Sequence, residues 1–200
     1  MKHEITSMNT KKIMAESLKK IMQKKSFSKI TVSEIIADCG INRKTFYYHF
    51  QDIYDLLRWM FEKEAVEVVK QFDLLWDYEK VIQFVMDYIE ENEYIINCAY
   101  DAMGRDGMKQ YFFSDFTFVV QSLLESVEKE LGKTLDESYQ NFLINFYTEA
   151  FVGVLVDWIK NRKERNREQV IEYLVTTVKN SLMGIFQEES PFIKNNTINP

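Results

Sequence analysis

The chain is short of the residues that break or staple structure. Its 200 residues include six Gly, two Pro and two Cys, and one of the prolines is the last residue. With so few breakers and little strand-like alternation of apolar and polar residues, the expected fold is all-α. The cysteines, Cys39 and Cys98, form neither a metal-ligand spacing nor a disulfide framework. No signal-like N-terminus precedes them, so a reducing cytoplasm is the expected location. Histidine is as scarce as cysteine: His3 lies near the terminus and His49 within a basic stretch. No glycine-rich phosphate loop, no metal-ligand pair on one helix face and no nucleophile elbow is found. The acidic pairs Glu90-Glu91 and Glu188-Glu189 read as solvated faces. No catalytic constellation, cofactor or metal site is therefore expected.

Charge comes next. The net charge of −6 argues by itself against nucleic acid as a partner. Its distribution argues the reverse. Residues 1–50 carry ten Lys/Arg against four acids, a net of +6, and the other 150 carry 15 against 27, a net of −12. A basic head on an acidic body presents one end to phosphate and withholds the other. Solubility alone does not account for the head's lysines, because acids would serve as well and are scarce there.

Within the head, the stretch from Thr31 to Leu57 reads as two short helices on a tight turn followed by a third. Thr31 or Ser33 is positioned to cap the first, with Val32, Ile35 and Ile36 at helical spacing. Gly40 stands where that helix must stop, and Asn42 where the next is capped. On the helix from Arg43 to Phe50, at about 100° per residue, Phe46 and Phe50 share an inward face. Lys44, Thr45 and Tyr48 share the opposite one, with Tyr47 and His49 on the flanks. Any amphipathic helix has a polar outer face. A basic helix upstream and a glycine-containing turn give this one the setting of a recognition helix. That upstream helix is expected from Asn9 or Thr10 to Lys25, with an apolar stripe of Ile13, Leu18, Ile21 and Met22, after a loose segment 1–8. Cys39 is expected to pack under the corner as a small hydrophobe, and Phe27 and Ile30 to plug the core.

Gly40-Ile41-Asn42, then Thr45-Phe46-Tyr47-Tyr48-His49-Phe50, then Asp55-Leu56-Leu57, resembles the DNA-binding signature of the TetR family of bacterial transcriptional regulators. The resemblance covers the first quarter of the chain. It implies an N-terminal three-helix helix–turn–helix DNA-binding domain (1–52) and a C-terminal helical bundle for ligand and dimerisation (53–188); the polar tail beyond them (189–200) is by its composition expected to be disordered. It implies double-stranded DNA as partner. Lys44, Thr45 and Tyr48 would read bases, and Thr31, Asn42, Arg43, Tyr47 and His49 would hold phosphates and register. One position departs from the family pattern. Ile53 stands where a lysine is usual, so the phosphate contact at that helix start is missing or falls to another residue. Asp52, Tyr54, Trp59 and Phe61-Glu62 extend the resemblance toward the subgroup containing the activator of bacterial dihydroxyacetone kinase operons. In that activator the signal arrives through a partner protein.

The body reads as further helices. The fourth runs from Asp52 to Phe72 or Leu75, with Leu56, Leu57, Met60, Phe61 and Val68 inward. One stripe holds Val81, Phe84, Val85, Tyr88 and Ile89. A short helix from Asn92 to Met103 ends at Gly104 and Gly107, and a long one ends at Gly132. Helices over 137–161 and 167–186 complete the set. The segment 142–159 is apolar on nearly all sides, yet Asn145, Glu149 and Asp157 would each be costly in lipid, so no membrane is expected. A helix apolar all round must be buried all round. Core packing within the chain is one way to do that, and a dimer interface is the more economical one. Ala150, Gly153 and Val154 would admit a close partner helix. Tyr173, Leu174, Val178 and Leu182, with Val170 and Phe186, would complete a four-helix homodimer interface. The aromatics, 14% of the chain, fall heavily in the body. Most are ordinary core; a ligand pocket between helices would take Trp59, Tyr100, Met103, Phe116, Tyr147 and Phe151. Its occupant would be a small-molecule effector, unless the signal comes through a partner protein. The rival function is an interaction protein or co-regulator that kept the head and lost direct DNA binding.

Overall fold

The computed structural model describes residues 2–74, 76–186 and 191–195, with the side chains of 2–6, 194 and 195 left aside. By packing, the chain makes two compact units: residues 1–68 with 89–108, and residues 69–88 with 109–200. The packing boundary thus differs from the expected division after residue 52. The fourth helix packs within the first unit, and so does the segment 89–108.

In the first unit, α1 (Lys2–Met22) begins earlier than Asn9, because nothing in residues 2–8 breaks a helix. Its inward stripe is Met14, Leu18 and Met22, with Ala15 beside them, while Ile13 is 53% exposed. Reading Ile13 as core was one position out of phase. A 3₁₀ turn over Phe27–Lys29 buries Phe27, and Ile30 follows it inward. Next come α2 (Val32–Cys39), α3 (Arg43–His49) and α4 (Ile53–Phe61), capped by Thr31, Asn42 and Asp52 respectively. Gly40 ends α2 in the left-handed conformation at φ 65°. α1 packs on α2 and α4, and α2 on α3, around Phe46, Ile35, Leu56, Leu57 and Met60. Cys39 is half-buried, its Sγ 3.6 Å from the carbonyl oxygen of Ile13. Burial raises its pKa above the usual thiol range.

A π-helical turn over Glu62–Val66 follows α4, then the short α5 (Glu67–Val69). The helical path therefore stops at Val69, short of Phe72; Leu75, the other expected end, lies outside the described residues. A π turn inserts one residue into the spiral. It moves the buried position from Val68 to Val69, which is 6% exposed.

α6 (Tyr78–Glu91) buries Met86 and Ile89. α7 (Glu93–Leu131) is interrupted at Gly104, whose φ of 67° and ψ of −178° are not helical. The expected break falls at Gly104, whereas Gly107 stays within the helix. Gly132, at φ 62°, follows the last turn. α8 (Glu137–Asn161) and α9 (Arg167–Ile185) follow the expected bounds closely. The core of the second unit joins Val120, Leu124 and Val127 of α7, Leu143 and Tyr147 of α8, and Val178 of α9, with Phe186 just beyond.

Strand structure was not expected. β1 (Lys133–Leu135) pairs antiparallel with β2 (Ile193–Asn195), Leu135 opposite Ile193. β2 thus lies within the tail that was expected to be disordered. The backbone N–H of Asp136 donates to the Phe192 carbonyl at 2.8 Å, and the Phe192 ring lies 4.6 Å from that of Tyr139. Three-residue strands carry too little alternation to be legible. Residues 187–190 and 196–200, including the pair Glu188-Glu189, lie outside the described residues. α8 is long and apolar enough to cross a membrane by length and composition. Its two interior acids are ion-paired, Glu149 with Lys109 at 3.6 Å and Asp157 with Arg165 at 2.6 Å.

Candidate functional site

The recognition helix α3 is held by its ends and its inner face. At its start, the Asn42 carboxamide oxygen accepts from the Thr45 backbone N–H at 2.8 Å and from the Thr45 hydroxyl at 3.1 Å. On its inner face, Phe46 is fully buried and Phe50 nearly so, their rings 6.0 Å apart. The outer face is left to solvent: Lys44 is exposed, Tyr48 is 72% exposed and Tyr47 is 49% exposed. The structure thus brings Lys44, Tyr47 and Tyr48 together on one open surface. Thr45 is half-buried and its hydroxyl proton goes to Asn42, which leaves its oxygen as an acceptor.

Arg43 ties the two helices together. Its guanidinium donates to the Ser33 hydroxyl on α2 and to the Tyr47 hydroxyl on α3, each at 3.3 Å. Five donors on a planar fork leave others for phosphate. Thr31 is engaged otherwise. Its backbone N–H and its hydroxyl both donate to Glu34, at 2.9 and 2.8 Å, and the Glu34 N–H donates back to its hydroxyl oxygen. This capping box uses the donors that a phosphate contact would need, so Thr31 positions α2. Lys25 holds the Glu34 carboxylate at 2.5 Å. That contact, followed by the Thr31 hydrogen bonds, lowers the Glu34 pKa.

One cation escaped the sequence reading. The Lys11 ammonium of α1 sits 5.5 Å over the Phe50 ring and 5.8 Å over the Trp59 ring. These distances fall in the range of cation–π attraction, which holds the charge at the foot of the recognition helix. Its field also reaches His49, whose pKa is lowered first by burial and then by Lys11. No signal in the sequence singles Lys11 out among the lysines of α1, because the two rings come from distant turns.

The second unit contains a cavity of about 780 Å³, its open mouth included. α6, α7, α8 and α9 wall it, with Leu74 from the preceding turn. Of the six residues expected to line a pocket, Phe116 and Phe151 do so. Tyr147 is 8% exposed in the adjoining core, its ring 5.7 Å from that of Phe151. Trp59, Tyr100 and Met103 belong to the first unit and are not brought to this wall. The residues the sequence reading missed here, among them Ile82, Leu123 and Trp158, look like any core residue in one dimension.

The expected dimer residues divide as well. Val154, Leu174 and Val178 line the cavity, and Val178 at 4% exposed and Phe186 at 4% exposed cannot meet a partner. Leu182 packs half-buried against the core, and Val170 is half-buried. Ala150 and Tyr173 are exposed and Gly153 partly so. The apolar side chains that α8 and α9 leave most open are Phe142, Phe146, Tyr173 and Met183, each more than half exposed, and Val154, at the cavity, is itself 37% exposed.

A capped helix–turn–helix with a polar outer face, joined to a helical bundle, is the arrangement the comparisons match. The sequence model of bacterial regulatory proteins of the tetR family matches residues 16–60, and that of a transcriptional regulator C-terminal region matches residues 77–180. The chain belongs to the TetR family of transcriptional regulators. It is a regulator and not an enzyme. Among curated proteins it is similar to the HTH-type dhaKLM operon transcriptional activator DhaS of Lactococcus lactis subsp. lactis. The two are 22% identical over 175 residues, covering 86% of this chain and 92% of that protein. Among solved structures, the dihydroxyacetone kinase operon activator DhaS aligns with a TM-score of 0.66 at 20% identity, over 87% of this chain and 96% of that one. A TetR transcriptional regulator from Streptococcus agalactiae aligns with a TM-score of 0.57 at 23% identity, over 89% and 98%. At these identities the structures establish a shared fold.

Proposed function

We propose that this regulator binds a pseudo-palindromic operator as a homodimer, in the cytoplasm, and that its C-terminal domain answers an effector. The supporting observation is the open face of α3, with Lys44, Tyr47 and Tyr48 exposed on a helix clamped by Asn42, Arg43 and Phe46. Such a helix fits a major groove. Lys44, Tyr48 and the Thr45 oxygen face base edges. Arg43, Tyr47, His49 and Lys11 face the backbone, and Asn42 and Thr31 keep the helices in register. Lys11 thereby supplies a cation near the start of α4, where Ile53 brings none.

Homodimerisation would draw on the open apolar residues Phe142 and Phe146 of α8 and Tyr173 and Met183 of α9, which a two-fold axis would set against their own copies. An effector acts by changing the spacing of the two heads, since one spacing fits successive grooves. The likeness to the operon activator DhaS makes activation the preferred sense of regulation. Ile53 favours a second reading, in which the head no longer binds DNA directly and the protein works through a partner.

Both are decided by anisotropy measurements on the DNA upstream of the regulator's own gene. Lys44→Ala and Tyr48→Ala each lower affinity for the specific site by about 1–3 kcal/mol and leave non-specific binding nearly unchanged. Tyr47→Ala weakens both. Retention of wild-type specificity by the first two variants refutes the orientation of α3. Absence of binding by the wild-type protein leaves the second reading. Phe146→Glu converts the dimer to a folded monomer in light scattering; an unaltered dimer rules out this interface.

A further inference from the structure

We propose that the C-terminal strand β2 belongs to the homodimer contact: Phe192 heads a continuous aromatic ridge with Tyr139, Phe142 and Phe146 of α8, and a second copy of the chain covers that ridge with its own. This rests on the reading of the protein as a homodimer through α8 and α9. It adds to that reading a segment beyond residue 180, where the match to the family's C-terminal region ends. Positions 139, 142 and 146 fall on one side of α8, three and four residues apart. The Phe192 ring lies 4.6 Å from that of Tyr139. Tyr139 stacks on Phe142 at 6.3 Å and 9°, and Phe142 on Phe146 at 6.0 Å and 20°. Phe192, Phe142 and Phe146 are 47%, 58% and 56% exposed. The strand presents its ring from an anchored backbone. Ile193 pairs with the buried Leu135 of β1 and packs against the core of the second unit, and the Asp136 N–H donates to the Phe192 carbonyl at 2.8 Å. A ring held in this way loses little freedom when a partner covers it. Charge points to the partner. Over 141–154 the exposed positions of α8 carry one charge, Glu149, and it is paired with Lys109 at 3.6 Å. Nucleic acid, or a strongly acidic or basic protein segment, would find little to complement there. Residues 51–200 carry a net −12, so two copies of the body repel each other, least where the surface is uncharged. A two-fold axis sets the ridge against itself, and aromatic rings are the side chains that most often carry interface energy.

The test measures the monomer–dimer dissociation constant of the full-length protein by sedimentation, with thermal melting as the check of folding. Phe192→Ala is expected to raise that constant by about tenfold to a hundredfold, because the ring is lost from both copies. Phe192→Tyr, which keeps the ring, should restore it. A second measurement does not depend on the alanine variant. Benzoylphenylalanine, a photoreactive phenylalanine, placed at position 192 should give a covalent dimer on irradiation, and mass spectrometry should place the link in α8 of the second copy. A dissociation constant unmoved by Phe192→Ala overturns the proposal, as does a crosslink confined to one chain or one that reaches the second copy outside α8. Should Phe192→Ala fail to fold, the crosslink decides. Phe146→Glu separates this from the functional reading. If Phe146→Glu gives folded monomers while Phe192→Ala leaves the dimer intact, the homodimer reading stands and the role of β2 falls. A wild-type protein that is monomeric at micromolar concentration overturns both.

Discussion

In the first unit almost every change of chain direction has a named polar contact. Thr31 and Glu34 open α2, Gly40 closes it, Asn42 opens α3 and Asp52 opens α4. In the second unit the long helices α8 and α9 also have caps, Asp136 and Asn166, but the caps say little about which side of each helix faces inward. There the core, the cavity and the open apolar patch share the same residue types. The head is specified by local hydrogen-bonding chemistry; the body is specified by which apolar surfaces meet. The difference bears on the proposed function, in which the head holds one helix in one pose while the body would accommodate an effector and a second copy.

That comparison is open to direct tests. The largest effect is expected at the aromatic anchor of the head. Phe46→Ala removes a fully buried ring and should cost about 3–5 kcal/mol in chemical denaturation, with DNA binding lost in step. A loss below 1 kcal/mol would mean that the caps, not the plug, hold α3. Gly104→Ala comes next. A Cβ there meets nothing within 4 Å, so any cost is backbone alone. With φ at 67° and ψ at −178°, a conformation close to glycine-only, the expected loss is about 1–3 kcal/mol; a neutral result would show that the break in α7 is not required.

Smaller still is the cap. Asn42→Ala should destabilise by about 1 kcal/mol and weaken binding to specific DNA more than to non-specific DNA, because α3 loses its fixed start. Lys11→Ala should reduce the slope of log affinity against log salt by about one and leave sequence preference alone. An unchanged slope would remove Lys11 from the interface. The smallest effect concerns pH. Burial and Lys11 lower the His49 pKa, so the free head carries a neutral imidazole at pH 7. A nearby phosphate favours the imidazolium, so binding takes up a proton and affinity should rise as pH falls from 8 toward 6. His49→Gln should flatten that rise. In the isolated protein the same shift has the opposite consequence. A depressed histidine pKa opposes folding as pH falls below about 6.5, where the unfolded chain takes up the proton first.

Much of the head was legible in one dimension. Thr31, Gly40 and Asn42 are where helix ends need them, and the outward set Lys44 and Tyr48 follows from helical periodicity once Phe46 and Phe50 are taken as inward. The errors there have local causes: a stripe out of phase at Ile13 and a π turn that shifts Val68 to Val69. The commitment of the Thr31 hydroxyl to Glu34 adds a capping role that the sequence did not announce. Lys11 was illegible because its partners Phe50 and Trp59 lie far away in sequence. In the body the helix bounds were legible, yet half of the expected pocket residues belong to the other unit, and Val154, Leu174 and Val178 turn toward the cavity.

The amino-acid pattern alone determined the all-α architecture, the caps and stops of α2, α3 and α4, the break at Gly104 and the opposition of a basic head to an acidic body. Each of these is a consequence of neighbours within a few residues or of charge counted along the chain. Only the tertiary structure decided which side of α8 and α9 becomes core, cavity or open surface. A helix that is apolar all round carries no phase of its own. Its orientation is set by what packs against it, and that lies dozens of residues away.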